Sequence, residues 1–315
     1  MNYAYLVQRL LLAVLVVLGV TLVVFLIIQL VPGDPARVSL GVQATDELVQ
    51  ARRERLGLNR PLLEQYVTWV ANALHGDFGV SLITGQPITP QIVQRLPTTL
   101  QLAALAATFG ALLAFPLGII SATRPGSLLD TLASILSQLG VAVPDFWMAI
   151  LLVLLFSSTL DLLPPSGYTP ITENAGDWLR HMILPTLTAG LISASIQTRF
   201  IRSAMLEVMG QNYIQTARAK GLRERVVISR HALRNAMITV VTIIGLQITA
   251  LLSAVVVIEI VFSLPGLGRL TLEAVLDRDY PLVQGSVLVM ALMVTGINLA
   301  VDMLYFFLDP RIGYA

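Results

Sequence analysis

The sequence predicts an all-α integral membrane protein with six transmembrane helices, and three observations predict it. Of 315 residues, 56% are hydrophobic and only 12% are charged, about half the charged share of an ordinary soluble domain. Mean hydropathy is +0.78, so a surface built from this composition would be largely apolar, which lipid tolerates and water does not. Long uncharged runs recur along the chain. Each approaches the roughly 20 residues that a helix rising about 1.5 Å per residue needs to cross a hydrocarbon core about 30 Å thick.

The runs give the elements in order. Residues 10–31 and 100–122 hold no charge, and residues 133–160 hold one, Asp145. Residues 182–197 form a shorter run that stops before Arg199 and Arg202. Residues 236–261 hold only Glu259, near their end, and residues 282–308 only Asp302. The first run is too long for the apolar region of a signal peptide and no small-residue cleavage site follows it, so it is expected to stay attached as the first helix.

Charge sets the orientation. Between the fourth and fifth runs lie Arg199, Arg202, Arg218, Lys220, Arg223, Arg225, Arg230 and Arg234, against only Glu207 and Glu224. An excess of arginine and lysine marks the cytoplasmic side. Six alternating helices then place both termini inside and the segments 32–97 and 161–180 outside. The expected organisation is an N-terminal helix (1–31), an extracytoplasmic helical segment (32–97) and a five-helix core (98–315) carrying a cytoplasmic loop at 203–234.

The outer segment is too long for a bare connection. Thr45 is placed to cap a helix opening with Asp46 and Glu47 and closed by Gly57. A second helix is expected from Pro61, with Leu63, Tyr66, Val67, Val70 and Leu74 on one face and His75-Gly76 ending it. The pair is expected to lie against the outer membrane surface or to cap the bundle.

Several chemistries are excluded. There is no cysteine, which removes disulfides, thiolate zinc sites, iron–sulfur clusters and cysteine nucleophiles. His75, His181 and His231 are far apart, and neither HExxH nor GxSxG occurs. A phosphate-binding P-loop needs lysine followed by Ser or Thr, but Lys220, the one lysine, precedes Gly221. No catalytic residue, metal ligand or cofactor of its own is therefore expected.

The basic loop holds the most informative stretch. Asn212 is a suitable N-cap, Gln215 can answer it, and Gly221 supplies a left-handed end. A helix over 213–220, roughly 12 Å long, should result. Thr216, Ala217 and Ala219 are small enough for another protein to approach the backbone, and Arg218 and Lys220 add charge that can orient it. The alternative is a basic loop lying on anionic headgroups.

Residues 212–222 resemble the cytoplasmic "EAA" loop of the transmembrane subunits of ABC-type importers. Gln215 stands at the usual glutamate, Thr216-Ala217 at the two alanines and Gly221 at the glycine. Other words are similar to the dipeptide/oligopeptide permease group: Arg9-Leu10-Leu11, Pro32-Gly33-Asp34-Pro35, Leu56-Gly57-Leu58, Gly76-Asp77-Phe78-Gly79, His231 to Ala236, Pro265-Gly266-Leu267-Gly268, Arg278-Asp279-Tyr280-Pro281 and Asp309-Pro310-Arg311. Gln215 replaces an acid, and Arg234 stands where the general motif has proline.

The resemblance implies that the loop helix (Tyr213, Gln215, Thr216, Ala217, Arg218, Ala219, Lys220, Gly221) sits in a groove of an ATPase subunit. It also implies a second homologous permease, two separate ABC ATPase subunits that bind ATP and magnesium, and an extracytoplasmic substrate-binding protein. Similar relatives handle di- and oligopeptides, glutathione, nickel complexes or opines.

For the path itself, Asp145 beside the helix-breaking Pro144 is a candidate, because ionisable groups in a membrane usually face a cavity or a partner. Gln197 and Gln247 are weaker candidates. Glu259 precedes a glycine- and proline-rich turn over 262–268, and with Pro265, Gly266 and Gly268 is expected to anchor that turn or meet the binding protein. The rival from another class, an ion-gradient-driven secondary transporter, usually carries internal repeats, and no convincing duplication is found here.

Overall fold

The computed structural model describes residues 3–31, 33–40 and 44–308. Pro32 and the motif at 309–311 lie outside them. Apart from an isolated antiparallel bridge between Val80 and Pro87, the regular elements described are helical: α1 (Tyr3–Leu30), α2 (Pro35–Leu40), α3 (Asp46–Arg55), α4 (Leu62–Leu74), α5 (Ile88–Thr123), α6 (Leu128–Ala142), α7 (Asp145–Val153), α8 (Ala175–Met209), α9 (Asn212–Ala219), α10 (Glu224–Val226), α11 (Arg234–Val261), α12 (Leu267–Leu276) and α13 (Tyr280–Leu308). Wider π-helical turns extend α7 over Leu154–Thr159 and join α10 to α11 over Val227–Leu233. The chain divides into two compact units, Met1–Thr98 with Pro265–Leu299, and Thr99–Leu264 with Ala300–Ala315.

In the first unit the expected caps are present. Thr45 accepts from the Leu48 amide at 3.4 Å, and Gly57 (φ +67°) ends α3 with the Leu58 amide donating to the Arg53 carbonyl at 3.0 Å. Pro61 stands just before α4 rather than inside it. Tyr66 of α4 packs edge-on to Phe25 of α1, centroids 5.4 Å apart, and its hydroxyl meets that of Thr21 at 2.9 Å.

The unit's core joins Ile88 and Ile92 of α5, Leu267, Leu270 and Ala274 of α12, and Leu282 of α13. The carboxylate of Asp279, 2% exposed, accepts from the Ser81 hydroxyl and from the Leu82 amide at 3.0 Å. That bond set explains the Arg278-Asp279-Tyr280-Pro281 word: it pins the loop over 77–87 to the start of α13.

The second unit is built around α8, which packs against α6, α7 and α11. Its approach to α5 is close because glycines leave room. A Cβ on Gly118 would lie 2.7 Å from Ile201 Cγ2 and 3.1 Å from the Thr198 carbonyl. Gly118→Ala should therefore cost about 1–3 kcal/mol by forcing the helices apart, measurable as a lowered unfolding temperature in detergent.

Two expected spans take different forms. Residues 133–160 are not one straight helix: α6 and the helix over Asp145–Thr159 meet at 107°. Pro144 lacks an amide hydrogen and drives Val143 into extended backbone (φ −88°, ψ 124°), so the chain turns sharply instead of kinking. The run at 182–197 is the middle of the 35-residue α8, which passes through Pro185.

Among the described residues, four helices are long and apolar enough to cross a membrane, Val7–Leu30, Ile88–Thr123, Thr239–Val261 and Tyr280–Met303, or five with the bent pair. The fourth expected span, within α8, interleaves Thr188, Ser193, Gln197 and Thr198 with its apolar residues and buries all four. A helix covered by protein does not need a lipid-compatible surface.

Candidate functional site

Helix α9 stands in the chain between α8 and α11, and its ends explain its position. Gly210 closes α8, with its amide donating to Leu206 at 3.2 Å. Gln211 then takes extended backbone (ψ 147°) and starts α9 without a side-chain cap. The expected cap at Asn212 is thus corrected: only Gly210 and Gln211 separate the helices, so the break falls one residue earlier. Asn212 is helical, and its carbonyl accepts the Thr216 hydroxyl at 3.0 Å. The expected end is present. Gly221 has φ +75°, its amide donates to Arg218 at 2.9 Å, and the Leu222 amide donates to Ala217 at 3.4 Å.

The helix has two faces. Ile214 (0% exposed) and Ala217 (7%) enter a buried cluster with Ala114 and Ala122 of α5, Ile201, Ala204 and Met205 of α8, Val227 and Ala232 of the π turn, and Ala236 and Val240 of α11. Tyr213, Gln215, Thr216, Arg218, Ala219, Lys220 and Gly221 are exposed. Ala217, expected on the docking face because it is small, instead belongs to the anchoring face, three residues from Ile214 on the same side of the helix.

Arg218 also differs from expectation. Its guanidinium holds both oxygens of Glu224, at 3.1 and 2.6 Å. The pair fastens α9 to α10 across the glycine turn. The hydrogen bond from Arg218 holds the Glu224 carboxyl below its ordinary range, and the same bond raises the Arg218 guanidinium. Lys220 is exposed beyond the end of the helix.

Close to this site is a buried ion pair that sequence reasoning missed. Arg202 of α8 donates to Asp130 at 2.6 and 2.9 Å and to the Ser121 hydroxyl at 3.1 Å. Asp130 also accepts the Gly126 amide at 2.9 Å. One carboxylate therefore ties the end of α5, the turn after it, the start of α6 and the end of α8 leading to α9. A signal was available: Ser127-Leu128-Leu129-Asp130 is a capping-box word, and Ser127 accepts from the Asp130 amide at 3.3 Å.

The candidates for the path are dispersed. Asp145 is half-buried at the first position of α7. Gln197 is 4% exposed, donates to Ser193 at 2.8 Å, and leaves its Oε1 without a partner. Gln247 is half-buried on α11.

Glu259 is fully buried and accepts the Thr99 hydroxyl of α5 at 2.5 Å. Its carbonyl takes the Leu264 amide at 2.8 Å, so it closes the chain just after α11. The turn expected over 262–268 is shorter, because Gly266 is already the cap of α12. Gly266 and Gly268 are buried and Pro265 is half-buried.

Comparisons with known proteins agree along the whole chain. The family model for the binding-protein-dependent transport system inner membrane component matches residues 114–314, and the model for the N-terminal part of such membrane components matches residues 2–103. The dipeptide transport system permease protein DppB of Alkalihalophilus pseudofirmus is 40% identical over 331 residues, covering 99% of each chain. DppB of Escherichia coli is 38% identical over 334 residues, covering 98% of each. Among solved structures, a chain of the MetNI methionine ABC transporter in an inward-facing conformation aligns with a TM-score of 0.56 at 17% identity, covering 70% of this chain and 96% of that one, which is a likeness of fold. The chain belongs to the binding-protein-dependent transport system inner membrane component family.

Proposed function

We propose that this chain is the transmembrane permease subunit of an ATP-driven, binding-protein-dependent importer of di- or oligopeptides, forming half of the path with a second homologous permease. The observation that carries the reading is α9: one face anchored by Ile214 and Ala217 in the bundle, the other exposed. A short helix held this way can receive a push and pass it to α5, α8 and α11 without coming loose. Two ABC ATPase subunits supply the push and bind ATP and magnesium; the extracytoplasmic binding protein supplies substrate. The peptide substrate rests on relatives named for peptide transport.

In this reading the chain crosses the bacterial inner or plasma membrane six times, by α1, α5, the bent pair α6–α7, α8, α11 and α13. Both termini and α9 are cytoplasmic, in keeping with the eight basic residues between Arg199 and Arg234.

The test is uptake by vesicles containing the purified assembly and its binding protein. Uptake of a labelled dipeptide should require internal ATP, persist when an ionophore collapses the ion gradients, and fall when unlabelled peptides compete. Uptake that follows an ion gradient without ATP would place the chain among secondary transporters instead.

A further inference from the structure

A buried seam leads from the cluster that anchors α9 into α11. Val227 and Ala232 are 0% exposed and Ala236 and Val240 1%, and all four belong to the cluster that holds Ile214 and Ala217. Their spacing is five, four and four residues. Steps of four stay on one side of an α-helix, but at 3.6 residues per turn a step of five would aim Val227 about 140° away from Ala232. The wider turn over Val227–Leu233, closed by bonds between residues five apart, is what brings Val227 back to the seam.

The turn therefore holds one residue more than an α-helix needs, and a second register has its side chain in place. Ile228 is half-buried, packs against the same cluster and stands four residues before Ala232. In α geometry Ile228 takes the seat of Val227, and the seam reads four, four and four. The two side chains are β-branched and differ by one methylene, so either one can fill the seat. Ala232, Ala236 and Val240 keep their places. The chain before the seat is displaced by one residue, about 1.5 Å along and 100° around the axis, and the freed residue passes into the connection over 221–223. Helix α9 follows, because Arg218 holds Glu224 of α10 at 3.1 and 2.6 Å. Exchange of register breaks main-chain bonds at the edges of the turn, where side-chain donors already stand. The Ser229 hydroxyl donates to the Arg225 carbonyl at 2.8 Å, and the Asn235 amide donates to the His231 carbonyl at 2.6 Å.

We propose, resting on the function given above, that the π turn is a movable joint with two registers, one seating Val227 and the other Ile228, and that exchange between them is how α9 moves against α11. A packed seat that accepts one side chain or the other, and nothing between, converts a push on α9 into a discrete step of the bundle.

The experiment uses the assembled importer with its binding protein in vesicles. Because the chain has no cysteine, Val227→Cys and Ile228→Cys each give it one thiol, whose labelling by a maleimide is read by mass. On ATP binding the two labelling rates should change in opposite directions. Deletion of Ser229 leaves Val227 four residues before Ala232, so that a plain α-helix keeps the present seam and loses the spare residue. This variant should unfold no earlier than wild type, while uptake and ATP hydrolysis fall together by about tenfold or more, the second register being left populated at a tenth or less. Ile228→Asn, whose amide finds no partner in the seat, should act in the same direction, and Ile228→Val, which still fills it, should transport as wild type. Labelling rates that change in parallel or not at all would overturn the joint. So would wild-type uptake after deletion of Ser229, or a fall in uptake with hydrolysis unchanged. Should the deletion lower the unfolding temperature, the labelling pair decides. ATP-independent uptake by the unmodified assembly would instead overturn the function on which the joint rests.

Discussion

Replacing Ile214 with alanine should leave ATP hydrolysis by the assembled importer running while peptide uptake falls by roughly tenfold or more. Ile214 is the fully buried anchor of α9. Truncating an isoleucine in a packed core costs about 2–5 kcal/mol, and about 1.4 kcal/mol corresponds to a factor of ten. In the proposed function the ATPase docks on the exposed face of α9, which survives the change; what is lost is the grip of the helix on α5, α8 and α11. Ile214→Val, costing about 0.5–1.5 kcal/mol, should be mild. Paired assays of hydrolysis and uptake in vesicles decide it, and wild-type uptake in Ile214→Ala would sink the idea that α9 works through its buried face.

The second large effect is expected at the buried ion pair. Asp130→Asn should lower stability by about 3 kcal/mol, the lower end of the range for breaking a buried pair. Asp130's side chain is 7% exposed but Arg202's is 32% exposed, so water screens part of the interaction. Asp130→Asn strands the Arg202 guanidinium against Ser121. Adding Arg202→Gln removes the stranded charge, and the double variant should be less destabilised than the sum of the singles. Thermal unfolding of the four proteins gives the coupling; strict additivity would mean that the pair contributes nothing to holding α5, α6 and α8 together.

Much of this molecule was legible in its sequence because lipid and helix ends impose simple rules. Apolar length with at most one charge marks α1, α5, α11 and α13, and the left-handed glycines 57, 76 and 221 mark the ends of α3, α4 and α9. Legibility failed where tertiary contacts decide. The composition of 133–160 is that of a span, but Pro144 turns the chain through 107°. The polarity of α8 hides its length because protein covers it. The periodicity of α9 carries the signal, since Ile214 and Ala217 are three residues apart, but the small size of Ala217 suits a docking face as well as a packed one.

Charge was the hardest signal. Arg202 counts toward the orientation of a loop and Asp130 has no charged partner nearby in sequence, yet 72 residues apart they form a largely buried ion pair. Glu259, beside its glycine- and proline-rich turn, is expected to anchor that turn or to meet an outside protein; its side chain is bonded to Thr99. Partners so distant in sequence leave no local pattern to read.

The central claim is that force from the ATPase enters through the exposed face of α9, and disulfide cross-linking tests it most directly. Because the chain has no cysteine, a single cysteine introduced at Thr216 or Ala219 is its one thiol, to be paired with cysteines along the groove of the ATPase subunit. In active complexes both positions should cross-link to the ATPase, and the efficiency should change between nucleotide-free and ATP-bound states, whereas Ala217→Cys, facing inward, should not react. Absence of cross-links at Thr216 and Ala219 in a complex that still transports, or equal reaction at Ala217, would contradict the account.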